Sequence, residues 1–213
     1  MIKGIIFDMD GVLADTEHFY QTRREEFLGH MDFPFSPGLD FVGSNERAIW
    51  ETLVPEDPVM REEMMMGYRA YRKLHPVQYE ALIDPEVRLV FETLKAYGIK
   101  TAIASSSDRK DILEMMKSAG IEPFVDFVIS GVDCTAHKPA PEIYLRALKA
   151  LDIEADEALA VEDSPTGILA AKNAGIRVMG FLPRHGEKLD QSAADGIICR
   201  LSQVPELVTR GTV

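Results

Sequence analysis

From residue 82 onward the chain alternates short apolar runs with helix-like segments, and this alternation restricts the fold more than any other feature. Runs at 100–104, 125–130, 158–161, 177–180 and 196–199 read as strands. The segments between them carry helix start and stop signals. Asp84-Pro85 supplies an N-cap and a proline at the first helical position, and Gly98 terminates that segment. Ser164-Pro165 to Gly175 repeats the pattern, and Asp108 to Gly120 follows it without the proline. Strand–helix alternation of this kind requires a parallel sheet with helices on both faces. Residues 4–8 add an N-terminal strand. The predicted core is α/β, a doubly wound parallel sheet.

One connection breaks the rhythm. Between the first strand and the rest of the core lie 64 residues, 16–79, that read mainly as helices at 16–28, 45–53 and 58–74. This stretch holds 10 of the 17 aromatic residues and 5 of the 10 methionines, enough for a small core of its own. Unstructured loops beyond about 15 residues are uncommon, so an inserted helical subdomain is predicted. The expected division is a core of 1–15 and 80–213 with an insertion of 16–79. Met60 and Met64 stand one turn apart, which predicts packing into the helical core. An adaptable ligand-facing surface is the alternative for Met60, Met64, Met65 and Met66.

The densest chemical signal is Phe7-Asp8-Met9-Asp10-Gly11-Val12-Leu13-Ala14-Asp15. A hydrophobic strand runs into two carboxylates spaced by two, then into a glycine that permits a tight turn. Ligands of open α/β sheets bind at the carboxyl ends of the strands. Two aspartates crowded there repel unless a cation lies between them, and an oxygen-only set suits Mg²⁺. An acidic surface loop is the plainer alternative. Glu162-Asp163 also ends an apolar run and precedes a helix start, where negative charge is favourable in any case. In a parallel sheet both pairs fall on one rim, and their convergence strengthens the case for a hard cation.

Two further strand ends carry the opposite chemistry. Ser105-Ser106-Ser107-Asp108 places hydroxyls before a helix start, where backbone N–H groups can hold phosphate oxygens. A serine-rich helix entry is the alternative. His137-Lys138-Pro139-Ala140-Pro141-Glu142 holds one lysine among prolines that restrict the chain. A fixed ammonium there could balance Asp8 and a phosphate.

Composition narrows the classes. There are 23 basic and 35 acidic side chains, a formal net charge of −12, which argues against nucleic-acid binding because that needs a basic footprint. No run approaches the roughly 18 apolar residues that read as a membrane span, and the N-terminus does not read as a signal peptide. Cys134 and Cys199, 65 residues apart, form neither a zinc signature nor a disulfide framework and read as buried or semi-buried thiols. A cytoplasmic protein without membrane or nucleic-acid partners is expected.

In order along the chain, the strand ends carry a carboxylate pair, a serine, a lysine and a second carboxylate pair. At these residues the sequence resembles the haloacid-dehalogenase superfamily, in its large phosphotransferase branch. The first family motif, DxDGxxxD, is matched by Asp8, Asp10, Gly11 and Asp15. The second is matched by Ser105, the third by Lys138 in KPAPE, and the fourth by Glu162 and Asp163 in EDSPTG. The matches span residues 4 to about 180. The resemblance implies a Rossmann-like core with an inserted α-helical cap, as in the β-phosphoglucomutase-like and phosphoglycolate-phosphatase-like subgroup.

It also implies roles. Asp8 would be the nucleophile that forms an aspartyl-phosphate, and Asp10 the general acid and then base. Asp8, the backbone carbonyl of Asp10, Glu162 and Asp163 would hold Mg²⁺, while Ser105, Ser106 and Lys138 would hold phosphoryl oxygens. The expected activity is hydrolysis of a small phosphorylated metabolite, in this subgroup a sugar phosphate. A β-phosphoglucomutase is the alternative. Related mutases carry a histidine five residues after the last aspartate of the first motif, and here that position is Tyr20, with His18 nearby. Tyr20, Arg47 and Arg69 are the candidate substrate residues of the cap. A phosphoacceptor signalling domain would combine similar residues, but the 64-residue insertion argues against it. Substrate identity and oligomeric state stay open.

Overall fold

The structure is a computed structural model that describes residues 1–36, 41, 46–186 and 188–210. Among the described residues six strands form one sheet: β1 (Gly4–Phe7), β2 (Lys100–Ser105), β3 (Phe127–Ser130), β4 (Ala158–Glu162), β5 (Arg177–Phe181) and β6 (Gly196–Ile198). All pairings are parallel, in the order β3-β2-β1-β4-β5-β6. The chain moves outward from β1 through β2 to β3, then returns to the other side of β1 for β4. This reversal opens a crevice at the carboxyl ends of β1, β2 and β4. Phe7 stands opposite both Ile103 and Val161, so the residues after them emerge level with one another.

Among the described residues eight α-helices accompany the strands: α1 (Glu17–His30), α2 (Glu46–Leu53), α3 (Pro58–Leu74), α4 (Val87–Ala96), α5 (Arg109–Ala119), α6 (Glu142–Leu151), α7 (Pro165–Asn173) and α8 (Gln203–Arg210). Ile6, Ala102, Ala104, Ala158 and Ala160 form one apolar face with Tyr144, Ala147 and Leu148 of α6 and Ile168 and Ala171 of α7. On the other face Phe7 meets Phe91 of α4, with ring centroids 4.9 Å apart. Burial on both faces explains why β1 and the first four residues of β4 are apolar rather than alternating.

The chain divides into two compact units, Met1–Asp15 with Tyr79–Val213, and Thr16–Gln78. The sequence boundary at 79 falls one residue late. Tyr79 is 1% exposed and opens a short 3-10 turn, Tyr79–Ala81, that packs on α5 of the first unit. Within that unit the outgoing and returning segments pair: Asp15 N donates to Leu82 O at 2.8 Å, and Asp84 N to Leu13 O at 3.0 Å.

The second unit has its own core of Phe27, Leu28, Trp50, Val54, Met64 and Tyr68. Asp57 caps α3 by accepting from Val59 N and Met60 N, both at 3.0 Å, and Pro58 follows at the first helical position. Met64 is buried, but Met60 is 43% exposed and Met66 54%, which corrects the expected packing of Met60 into the core. Met60 lies in the first turn of α3, where one-turn spacing places it on the same side as Met64 but beyond the reach of that core.

Other boundaries shift by a few residues. Asp84-Pro85 does not open α4, which begins at Val87; Asp84 Oδ1 instead accepts from Glu86 N in a turn. Cys134 is half-buried, but Cys199 is exposed, at the end of the short edge strand β6, and so is not the buried thiol expected. No helix among the described residues is long and apolar enough to cross a membrane.

Candidate active site

Asp8 follows β1 directly, and its backbone N–H continues the ladder to Val161 O at 2.9 Å. The chain then turns back. Leu13 N and Ala14 N both donate to Met9 O, and Gly11 N donates to Ala14 O at 2.8 Å. Gly11 takes φ +76°, and a Cβ there would overlap the Asp163 carboxylate. Glycine is required twice over, by the backbone and by the neighbour it admits.

Lys138 reaches the strand ends from the connection before α6. Its side chain is 7% exposed, and its ammonium donates to Asp8 Oδ1 at 2.6 Å, Glu162 Oε1 at 2.6 Å and Ala104 O at 3.1 Å. Three donors find three acceptors, the condition under which a buried ammonium is tolerated. Burial works to lower this ammonium, but Asp8 and Glu162 outweigh it and hold the group well above its ordinary value. The connection is itself braced, since Thr135 N, Thr135 Oγ1 and Ala136 N all donate to the Glu142 carboxylate at the start of α6. Those bonds hold Glu142 down at about 2.

Asp8, Glu162 and Asp163 are buried, and each offers a carboxylate oxygen within 4.8 Å of the others. Burial pushes the Asp8 carboxyl up, Lys138 opposes the rise, and Glu162 and Asp10 add to it. Glu162 is held on both of its oxygens. Its Oε1 accepts from Lys138 and from the buried Tyr144 hydroxyl at 2.9 Å, and its Oε2 accepts from Ser164 Oγ at 3.1 Å. Its carboxylate lies so close to Gly167 that a Cβ there would overlap it. This set fits a hard divalent cation: the donors are oxygen alone, they converge, and Asp163 sits in a cradle that a side chain at Gly11 would fill. Asp8, Glu162 and Asp163 would hold the ion.

Asp10 points elsewhere. Its Oδ2 accepts from Ser107 Oγ at 2.6 Å and Ser105 Oγ at 3.3 Å, while Ser107 N donates to Ser105 Oγ at 3.0 Å. Two aspartates spaced by two thus have separate settings, one against lysine and one against hydroxyls. Ser105 is fully buried at the end of β2, and Ser106 is exposed beside it.

The structure therefore brings together Asp8, Asp10, Ser105, Lys138, Glu162 and Asp163. The candidates Tyr20, Arg47 and Arg69 belong to the second unit and have partners there. Tyr20 is half-buried beside the Arg23 guanidinium, 5.2 Å from the ring centroid. Arg47 pairs with Glu51 at 2.9 Å, and Arg69 pairs with Glu46 at 2.7 Å. Residues 42–45 of the segment preceding Arg47 lie outside the described residues. Sequence reasoning missed Ser107 and Tyr144. Ser107 was visible as the third serine of its run, but nothing in KPAPEIY marks its tyrosine as a partner of Glu162.

Comparison with known proteins shows the family and the fold. The family model of haloacid dehalogenase-like hydrolases matches residues 5–181. The chain belongs to this family. It is 32% identical over 185 residues to the phosphorylated carbohydrates phosphatase of Thermotoga maritima, covering 85% of this chain and 86% of that protein. It is 27% identical to pyrophosphatase PpaX of Halalkalibacterium halodurans, with 97% of each covered. The crystal structure of β-phosphoglucomutase from Clostridium difficile superposes with a TM-score of 0.80 over 99% of this chain and 96% of that one. At 20% identity, that likeness shows the fold.

Proposed function

We propose that the protein is a Mg²⁺-dependent phosphomonoesterase acting on a small phosphorylated metabolite of the sugar-phosphate class. The observation that carries this reading is the separation of the two aspartates. Asp8 lies against the Lys138 ammonium and two further carboxylates, while Asp10 is held by serine hydroxyls. A nucleophile and a proton carrier need such different surroundings.

A carboxylate oxygen of Asp8 attacks phosphorus, the bond to the leaving oxygen breaks, and Asp10 gives that oxygen a proton. Asp10 then takes a proton from water, whose oxygen attacks phosphorus, releasing inorganic phosphate and restoring Asp8. Lys138 balances the charge on Asp8 and on the transferring group. A bound Mg²⁺ would supply further positive charge among the carboxylates. The substrate class follows the Thermotoga relative, a phosphatase of phosphorylated carbohydrates.

Two features favour water over a second phosphate as the outcome. Tyr20 occupies the position where related mutases carry histidine, and Arg47 and Arg69 are engaged by carboxylates of their own unit. The test is turnover of a sugar-phosphate panel with Mg²⁺, including β-glucose 1-phosphate with a trace of glucose 1,6-bisphosphate. Release of inorganic phosphate, lost in Asp8→Asn, is expected. Glucose 6-phosphate formed without phosphate release overturns the reading in favour of a mutase.

A further inference from the structure

We propose that Arg184 and Gln191, on the connection between β5 and β6, are positioning residues that hold the two acidic turns of the site against each other. Arg184 Nη1 donates to Gly11 O at 2.6 Å, and Nη2 donates to Val12 O at 2.9 Å and to Asp84 Oδ2 at 2.9 Å. Its guanidinium lies over the Phe181 ring, 4.6 Å from the centroid. Gln191 Nε2 donates to Asp163 O at 2.6 Å and to Phe181 O at 2.8 Å. One connection thus grips the backbone of the first acidic turn through Arg184 and that of the second through Gln191.

The grip falls where the site is least tolerant of movement. Asp163 packs against Gly11 with no room for a Cβ, so displacing the 11–12 turn moves the seat of the Asp163 carboxylate. The same turn carries Asp8 and Asp10 at its entrance. A planar guanidinium suits the task because one rigid group serves two carbonyls and a carboxylate; a lysine ammonium would keep the charge and lose the fork. Asp84 is fixed in turn by Glu86 N at 2.9 Å. Neither residue need touch substrate: they act through Gly11, Val12 and Asp163.

This inference rests on the phosphatase reading for its kinetic consequences, but its first measurement does not. Calorimetric titration of Mg²⁺ alone into wild type, Arg184→Ala, Arg184→Lys and Gln191→Ala reads the geometry of the carboxylates without turnover. Affinity is expected to fall about tenfold to a hundredfold in Arg184→Ala, the usual range for outer partners of metal ligands. Gln191→Ala should fall in the same direction, and Arg184→Lys should recover little. With p-nitrophenyl phosphate, kcat should drop with Mg²⁺ affinity while KM at saturating Mg²⁺ stays within about threefold, and low millimolar guanidinium should partly restore Arg184→Ala. Wild-type Mg²⁺ affinity in both Arg184→Ala and Gln191→Ala overturns the proposal. If Arg184→Ala does not fold, Gln191→Ala and Arg184→Lys decide it by the same titration. A wild type that binds Mg²⁺ and hydrolyses no phosphoester overturns the phosphatase reading and leaves this proposal to the titration.

Discussion

The Tyr144 hydroxyl and the Lys138 ammonium share one oxygen, Glu162 Oε1, at 2.9 and 2.6 Å. Burial raises the phenol well above its ordinary value, and the Glu162 charge reinforces this, so Tyr144 stays a neutral donor to that carboxylate. Tyr144→Phe removes a buried hydrogen bond to a charged acceptor, worth about 1.5–3 kcal/mol. A lowered urea midpoint is expected, with an activity loss of about tenfold at most because Lys138 keeps all three of its acceptors, Glu162 included. Equilibrium unfolding and steady-state kinetics of the one variant check both.

Ser107→Ala removes the 2.6 Å partner of Asp10 Oδ2. Acid–base catalysis contributes about 10²–10⁴-fold, and only the orientation of Asp10 is lost here, so kcat should fall by roughly tenfold to a hundredfold. The deficit should be larger for a sugar phosphate than for p-nitrophenyl phosphate, whose leaving group needs no proton. Comparison of the two substrates tests this.

Gly11→Ala forces a Cβ onto a backbone at φ +76° and into the Asp163 carboxylate. The backbone strain costs about 1–2 kcal/mol, and the displaced carboxylate should weaken Mg²⁺ binding by at least about tenfold. Thermal unfolding without metal and calorimetry with it separate the two effects.

Glu142, held down at about 2 by Thr135 and Ala136, makes stability depend on acid. Its folded value lies below its unfolded one, so its contribution is complete above about pH 4.5, shrinks as pH falls, and is lost on passing through about 2. Glu142→Gln should flatten the loss of stability between those limits. Urea midpoints measured across that range for both proteins test it.

Trp50, 1% exposed, packs edge-to-face on Phe27 and Tyr68. Trp50→Ala should destabilise the second unit by about 3–5 kcal/mol. Hydrogen exchange should show faster amides in α1–α3 and unchanged protection in β1, β2 and β4.

Much of the molecule was legible in the amino-acid order because its signals are local. Apolar runs of strand length, prolines after caps and glycines after helices marked most elements, and α3 occupies the very residues its pattern predicted. The family motifs likewise announced Asp8, Ser105, Lys138 and Glu162-Asp163. Tertiary structure alone decided what each of these side chains touches. Lys138 and Asp8 are 130 residues apart, and Arg184 and Gly11 173. Such pairs arise from strand order and register, which place the end of β1 between β2 and β4 whatever the spacing along the chain. The opposed surroundings of Asp8 and Asp10, the exposure of Met60 and Cys199, and the grip of Arg184 and Gln191 all follow from that long-range packing, which no local pattern encodes.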